Sequence, residues 1–267
     1  MKILVTNDDG ILAEGLWILA KELKNVGHVV VVAPDREQSG IGAAITLKKP
    51  LRVQKVRPLV PEIEAYSVEG TPGDSVILAL EKLAKNKIDL VVSGINPGPN
   101  LGHDVLVSGT VVAALQGYLR GFPALAISVF LRETRLYLDD AAKVAALLAE
   151  RIASNALPAN IFLNVNLPDL PLAKIRGVKV TRLVNEGHID TVEEGHDGKR
   201  EYYCLVPQKI NKGKDRTTDV WAVKQGYVSI TPLHIYQDSR AALMADSFFT
   251  AGLGTDLFQE LKKKGGQ

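Results

Sequence analysis

The sequence predicts an α/β fold: a Rossmann-like, mainly parallel β-sheet flanked by helices, with a β-rich C-terminal extension and hairpin. Short β-branched runs alternate with longer amphipathic stretches through residues 1–130, which is typical of βαβ units. The apolar runs are continuous rather than alternating, as expected of parallel strands buried on both faces. Beyond residue 170 the pattern changes to short β segments separated by turn residues, which favours antiparallel additions to the sheet.

The individual elements follow from these patterns in chain order. Continuous apolar runs predict buried strands at residues 3–5, 29–33, 90–93, 124–128 and 161–165. Amphipathic or alanine-rich stretches predict helices at about 15–24, 72–83, 110–119, 139–152 and 256–264. The second of these helices has Thr71 as its N-cap, Pro72 as its first residue and Asp74 as the acid that reaches back. Mixed segments predict short antiparallel strands at 45–56 and 65–68, and glycine, asparagine and proline predict a long loop at 94–108.

The C-terminal part contains a predicted hairpin with its turn at 196–199 and a strand at 227–230. The chain shows no internal repeat, low-complexity tract or linker. We therefore predict one domain over residues 1–267, with a core at about 1–170. The part at about 171–267 has two interpretations, a sheet extension or an oligomer contact.

Composition excludes several classes of protein. Hydrophobic residues make up 46% and charged residues 23%, which is ordinary for a soluble globular chain. The net charge of +2 and the lack of a basic patch give no reason to expect a stable nucleic-acid partner. No apolar run is long enough to span a bilayer, and the N-terminus lacks signal-peptide features, so we expect no membrane association and a cytoplasmic protein. A single cysteine excludes an internal disulfide.

Polar residues directly after the predicted strands are the first candidates for a functional site, because open α/β sheets bind ligands at the carboxyl ends of their strands. Asp8 and Asp9 follow the first strand, Ser39 lies in the loop after the second, and Asn96 follows the strand at 90–93. Adjacent carboxylates repel each other unless a cation compensates them. This all-oxygen donor set favours Mg²⁺ or Mn²⁺. The alternative is that the aspartates form an Asx turn or a helix cap.

A second group of candidates lies in the glycine-rich stretch 93–102, which leads to Ser108-Gly109-Thr110 at the start of a helix. Backbone N–H groups at a helix N-terminus bind phosphate. The stretch is neither a Walker loop, since the lysine is absent, nor the dinucleotide fingerprint. The alternative is plain turn chemistry.

Taken together, these segments resemble the SurE family, the survival protein E phosphatases. The similarity spans most of the chain and rests on an ordered set of motifs at residues 3–10, 33–40, 70–72, 93–96, 98–102, 108–111 and 226–233. The resemblance implies an α/β phosphatase that releases phosphate from nucleoside 5′-monophosphates and 3′-monophosphates, with some members acting on short polyphosphate. It also implies one Mg²⁺ or Mn²⁺ per subunit and a homodimer or homotetramer. Our own hypothesis is that the hairpin near Asp197 and the terminal helix are exchanged between subunits.

By this resemblance, specific residues acquire roles. The metal ligands would be Asp8, Asp9, Ser39 and Asn96, and the phosphate would be held by Asn100, Ser108, Gly109 and Thr110. The chain departs from the family pattern at Gly73 and Ser75, at Leu106-Val107, and across residues 182–202. The change at Val107 affects how a leaving group would stack, and no nucleoside contacts are carried over at 182–202.

The chemistry expected of such a site is in-line attack of a metal-activated water on phosphorus, with Asp8 or Asp9 also moving a proton. A covalent phospho-aspartate is the mechanistic alternative. Two other classes of protein compete with an enzyme. A receiver-type signalling domain would need a phosphate-accepting aspartate at the end of its central strand, where this sequence has Ser93-Gly94-Ile95-Asn96. A nucleotide-binding regulator would hold the phosphate without cleaving it.

Overall fold

A nine-stranded β-sheet is the centre of the part of the chain that the computed structural model describes, namely residues 1–84, 87–130, 137–185, 189–208, 215–234 and 253–265. The strands are β1 (Lys2–Thr6), β2 (His28–Pro34), β3 (Val53–Val56), β4 (Glu64–Val68), β5 (Leu90–Pro97), β6 (Ala124–Val129), β7 (Phe162–Leu167), β8 (Val178–Val180), β9 (Ile189–His196), β10 (Glu201–Gln208) and β11 (Val228–Pro232). The helices are α1 (Glu14–Leu23), α2 (Pro72–Leu78), α3 (Gly109–Tyr118), α4 (Leu138–Ala153), α5 (Asp219–Lys224) and α6 (Leu253–Gly265). A π-helical turn (Ala79–Leu83) extends α2, and 3₁₀ turns occupy Gly102–Leu106 and Leu172–Lys174.

The strand order is β3-β4-β2-β1-β5-β6-β7-β11-β8, and β9 and β10 form a separate antiparallel hairpin. The pairs from β4 through β2, β1, β5 and β6 to β7 are parallel. Antiparallel pairs occur where β3 meets β4 and where β11 meets β7. The predicted mainly parallel sheet with antiparallel additions and a C-terminal hairpin is therefore confirmed.

The sheet is buried on both faces because helices pack on each side of it. Successive side chains of a central strand point to opposite sides and therefore enter different cores. In β1, Ile3 and Val5 pack in one core with α1, α4 and α6. Leu4, between them, packs in a second core with α2 and α3. This two-sided burial is the reason that the strands read as continuous apolar runs in the sequence.

Three local predictions need correction. Strand β5 does not end at Ser93 but continues to Pro97, with an irregularity in its pairing to β6, because Ile95 is buried and Asn96 pairs with Ser128. The segment 45–56 forms a strand only at β3. Strand β4 pairs antiparallel with β3 as expected but also parallel with β2, so it belongs to the main sheet.

The C-terminal part contributes to the sheet through β8 and β11, and α5 packs against β11. The extensive contacts of the hairpin are all between its own two strands, as far as the described residues show. Residues 235–252, which belong to the predicted oligomer region, lie outside the described residues. The division into a core at 1–170 and a C-terminal part at 171–267 remains a prediction. No helix in the described ranges has the length and apolar character to cross a bilayer.

Candidate active site

The candidate site lies where the carboxyl ends of β1, β2 and β5 meet the N-terminus of α3. Asp8 follows β1 and is only 3% exposed. Its Oδ1 accepts a hydrogen bond from the Thr110 hydroxyl in the first turn of α3. Its main-chain oxygen accepts the N–H of Gln38, 2.7 Å away, which brings the segment after β2 against it. Three of the sequence motifs therefore meet at one residue, Asp8, through its carboxylate and its main-chain oxygen.

The turn after β1 is closed by Asn7 and not by the aspartates. Asn7 Oδ1 accepts the N–H of Gly10 at 3.2 Å, and its Nδ2 donates to the carbonyl of Gly10 at 3.1 Å. Helix α1 begins after Ala13, which makes no side-chain cap. The alternative interpretation gave Asp8 and Asp9 an Asx turn or a helix cap. In the structure Asn7 closes the turn and Ala13 is at the N-cap position of α1, so neither role falls to the aspartates.

Glycine at position 109 allows α3 to approach Asp8. A Cβ placed on Gly109 would lie 2.6 Å from the Asp8 Cβ and 2.9 Å from its Oδ2. Ser108 is the N-cap of the helix, and its Oγ accepts the N–H of Val111 at 3.2 Å. The Thr110 hydroxyl donates its proton to Asp8 and so positions the carboxylate. Of the two hydroxyl groups at the start of α3, the one whose proton can be donated to a ligand is that of Ser108.

The surroundings of Asp8 and Asp9 disfavour the ionised form of both carboxyl groups. Burial, together with the neighbouring carboxylates of Asp8 and Glu37, raises the pKa of Asp9 to about 7. Burial also raises the pKa of Asp8, while hydrogen bonds from Thr110 lower it. Ionising both aspartates beside Glu37 is therefore unfavourable by itself, and a bound cation would offset this cost.

Glu37 is a residue of the site that sequence reasoning missed. Its Oε1 accepts the hydroxyl of Ser39 at 2.8 Å, and both side chains are exposed. The Ser39 oxygen keeps its lone pairs for another partner. The signal that was available in the sequence was an acid two residues before Ser39 in the loop after β2.

Asn96 and Asn100 lie at the same edge but bond to groups other than Asp8. Asn96 Nδ2 donates to the carbonyl of Gly98 at 2.7 Å, and its amide oxygen remains an acceptor. Asn100 Nδ2 donates to Ser128 Oγ at 2.9 Å. The backbone N–H of Asn100 donates to Asn166 Oδ1 at 2.8 Å, and its carbonyl accepts from the amides of Asn166 and Asn164.

The two asparagines of β7 were also missed, although the sequence carried a signal. Asn164 and Asn166 are both fully buried and alternate with apolar residues in β7. Two amides two residues apart project to the same face of a strand. A buried pair of this kind requires polar partners, and here the partner is the backbone at Asn100.

The residues present fit a divalent metal ion. Oδ2 of Asp9 is buried and has no hydrogen-bond partner within the described ranges, which is a costly state for a carboxylate oxygen unless a cation meets it. Those ranges contain no cluster of three or more His, Cys, Asp or Glu side chains arranged for a metal. A cation here would therefore depend on neutral oxygens as well as on Asp8 and Asp9, and hard cations accept such donors.

The fold and the site define an α/β protein with an acidic, oxygen-lined centre at the carboxyl ends of its parallel strands. Residues 3–189 match the family model described as "Survival protein SurE". The chain belongs to the SurE family. This confirms the resemblance drawn from the motifs.

Similar proteins cover nearly the whole chain. A protein of Dehalococcoides mccartyi (strain ATCC BAA-2266 / KCTC 15142 / 195) named "5'-nucleotidase SurE" is 54% identical over 254 residues, covering 95% of this chain and 96% of the relative. A protein of the same name from Legionella pneumophila (strain Paris) is 48% identical over 88% of this chain and 91% of its own length. The solved structure of the SurE protein from Aquifex aeolicus is 37% identical, with a TM-score of 0.76 over 92% of this chain and 98% of that chain.

Proposed function

We propose that this chain is a divalent-metal-dependent phosphomonoesterase that hydrolyses nucleoside 5′-monophosphates to nucleoside and phosphate. The observation that carries the proposal is the buried Oδ2 of Asp9, which has no hydrogen-bond partner among the described residues and lies beside Asp8 at the N-terminus of α3. The names of the relatives support the activity. Nucleoside 3′-monophosphates and short polyphosphate carry the same terminal phosphate group and are included in the proposal as further substrates.

We assign the metal site to Asp8, Asp9, Ser39 and Asn96. A bound Mg²⁺ or Mn²⁺, one per subunit, would supply positive charge to the phosphate and make water more acidic. The protein's own contribution is to hold the proposed ligand side chains in position. Thr110 fixes the orientation of Asp8 through its hydroxyl, and Glu37 fixes that of the Ser39 hydroxyl.

We assign phosphate binding to Asn100, Ser108 and Gly109, with Thr110 in the same turn. The first-turn N–H groups of α3 and the Ser108 hydroxyl supply donors, and the helix dipole adds partial positive charge. Fixed donors of this kind stabilise the charge that develops on a phosphoryl group during transfer. We assign proton transfer to Asp9, because Oδ1 of Asp8 already accepts the Thr110 hydroxyl.

The decisive assay measures phosphate release from nucleoside 5′- and 3′-monophosphates, pyrophosphate and short polyphosphate with Mg²⁺, Mn²⁺ or EDTA. We expect release to require metal and to fall about 100-fold or more in Asp9→Asn, since a lost metal contact removes several kcal/mol of stabilisation. Asp89→Asn is the matched control, because Asp89 precedes β5 at the opposite edge of the sheet and is exposed.

The same assay separates the alternatives. Tight nucleotide binding without phosphate release under any metal would replace the enzyme by a nucleotide-binding regulator. Recovery of an acyl phosphate on Asp8 or Asp9 after acid quenching would establish the covalent route instead of direct attack by water. A receiver-type domain is disfavoured because β5 contains no aspartate for phosphorylation.

We further propose that the chain forms a homodimer or homotetramer through its C-terminal part, and that it acts in the cytoplasm. The hairpin supports the first point, because Val192, Tyr203 and Leu205 are exposed on it. Light scattering that returned only the 28.9 kDa monomer at micromolar concentration would reject the oligomer. Fractionation of cells that placed the chain outside the cytoplasm would reject the location.

A further inference from the structure

Asp219 connects the C-terminal part of the chain to the loop that leads into the proposed phosphate site. It is the first residue of α5 and is fully buried. Its Oδ2 accepts the N–H of Gly102 at 2.8 Å. Its Oδ1 accepts the N–H groups of Val184 at 3.0 Å and Val220 at 2.8 Å. One carboxylate thus links two other backbone segments, at Gly102 and Val184, to the start of α5, and the Gly102 segment continues through a 3₁₀ turn to Ser108.

The two residues before Gly102 are held by the same half of the molecule. Leu101 is buried in a small apolar cluster with Val184, Val220 and Val223. The backbone of Asn100 is bonded by the buried amides of β7. Residues 100–102 are consequently anchored one after another to elements from β7 onward.

A local role at the start of α5, directly after the N-cap residue Thr218, explains only part of this arrangement. The bond to Val220 is local and would serve the short helix α5 by itself. The bond to Gly102 spans 117 residues of sequence and contributes nothing to α5. Burial raises the pKa of Asp219, so ionising a carboxylate at this position is unfavourable. The N-cap position is occupied by Thr218, so capping α5 does not account for a buried carboxylate at the next residue.

We propose that Asp219 is a positioning residue for substrate binding: through the Gly102 N–H it sets the place of residues 100–108, and with them the donors at Asn100 and Ser108 that meet the phosphate. The inference rests on the proposed function, because it deepens the account of that same site. It links the affinity for phosphate to the packing of the C-terminal part.

The test compares Asp219→Asn with Thr218→Ala. Asparagine keeps the shape of the side chain but replaces one of the two acceptors by an NH₂ donor. Thr218→Ala removes a 2.8 Å hydrogen bond to the carbonyl of Asp215 at the same helix start, and it leaves the Gly102 bond in place. Melting temperature, KM and kcat for a nucleoside 5′-monophosphate with Mn²⁺, the Kd of inorganic phosphate, and hydrogen exchange of a peptide covering 98–108 are measured for both.

We expect Asp219→Asn to raise KM and the phosphate Kd about tenfold or more, since small displacements of binding groups carry costs of this order. We also expect faster hydrogen exchange across 98–108. Thr218→Ala lowers the melting temperature but leaves KM, the phosphate Kd and the exchange rate at wild-type values. Mn²⁺ affinity without phosphate, measured by calorimetry, stays at the wild-type value in both variants.

An Asp219→Asn protein that is less stable but keeps the wild-type KM, phosphate Kd and exchange rate would overturn the proposal and leave Asp219 with a structural role only. If that variant does not fold, Asp219→Ser is used, because a serine hydroxyl can serve the adjacent Val220 N–H but is too short for Gly102. A wild-type protein that releases no phosphate would reject the proposed function alone. The exchange comparison would still decide whether Asp219 holds residues 98–108.

Discussion

Gly109 and Asp8 meet where the N-terminus of α3 reaches the end of β1, and their contact leaves no room for a side chain. A Cβ at position 109 would lie 2.6 Å from the Cβ of Asp8. Position 109 is the first residue of α3, and the helix itself does not require glycine there. The close approach of helix and carboxylate therefore accounts for the glycine better than any demand of the helix does.

We predict that Gly109→Ala lowers kcat/KM about 100-fold, because displacement of the Asp8 carboxylate disturbs groups that must be accurately placed. The strain is confined to the contact between Asp8 and the first turn of α3, so urea unfolding should show a folded protein. Gly73→Ala is the control: it lies in the first turn of α2, and its added Cβ would have no neighbour nearer than 3.5 Å. Full activity in Gly109→Ala would show that the contact has no bearing on the reaction.

At the scale of elements, the hairpin of β9 and β10 stands out because it exposes apolar side chains. Leu205 is 72% exposed and lies directly opposite Val192, which is also exposed. Tyr203 is two residues from Leu205 and therefore projects to the same face of the hairpin. Apolar side chains grouped on one exposed face are the basis for the proposed oligomer contact.

We predict that Leu205→Glu weakens self-association about tenfold or more, because a charge would have to be buried in the apolar centre of the contact. Light scattering over a dilution series measures the shift toward the monomer. Lys199→Glu, in the turn of the same hairpin, is the control for added negative charge. An unchanged association constant in Leu205→Glu would place the oligomer contact elsewhere.

The elements themselves were largely predictable from local pattern. Strands β1, β2, β6 and β7 and helices α1, α3 and α4 lie within a few residues of their predicted positions, because burial on both sheet faces produces unambiguous apolar runs. The capping box at Thr71 and Asp74 is present as predicted. The continuation of β5 to Pro97 was not predictable, because pairing with β6 outweighs the turn propensity of glycine and proline there.

At the scale of the whole molecule, the raised pKa of Asp9 couples folding to pH. The native state holds a proton on Asp9 up to about pH 7, whereas the unfolded chain releases it near 3.8, the ordinary value for an aspartate side chain. Between these values the native state binds more protons, so stability falls as pH rises. Above about pH 7 both states are ionised, and this contribution no longer changes.

We predict that, without metal, wild type loses on the order of 2 kcal/mol of unfolding free energy relative to Asp9→Asn between about pH 4 and pH 7, a value reduced for partial solvent exposure. Mn²⁺ at about 100 times its Kd should restore about 2.7 kcal/mol at pH 7 in wild type. At the same Mn²⁺ concentration the gain in unfolding free energy should be smaller in Asp9→Asn, because that variant binds the metal more weakly. Urea unfolding across the pH range measures both effects, and a pH-independent difference between the two proteins would contradict the first.

The sequence by itself determined the mainly parallel α/β fold, the position of most elements, the family and the set of polar residues at the strand ends. It could do so because burial patterns and short motifs are local properties of the chain. Only the tertiary structure showed that Thr110 serves Asp8, that Glu37 faces Ser39, and that Asn166 and Asp219 anchor residues 100–102. Apart from the local contact of Glu37 with Ser39, these contacts join segments as many as 117 residues apart, and they depend on which strand ends and loops the folded sheet brings side by side.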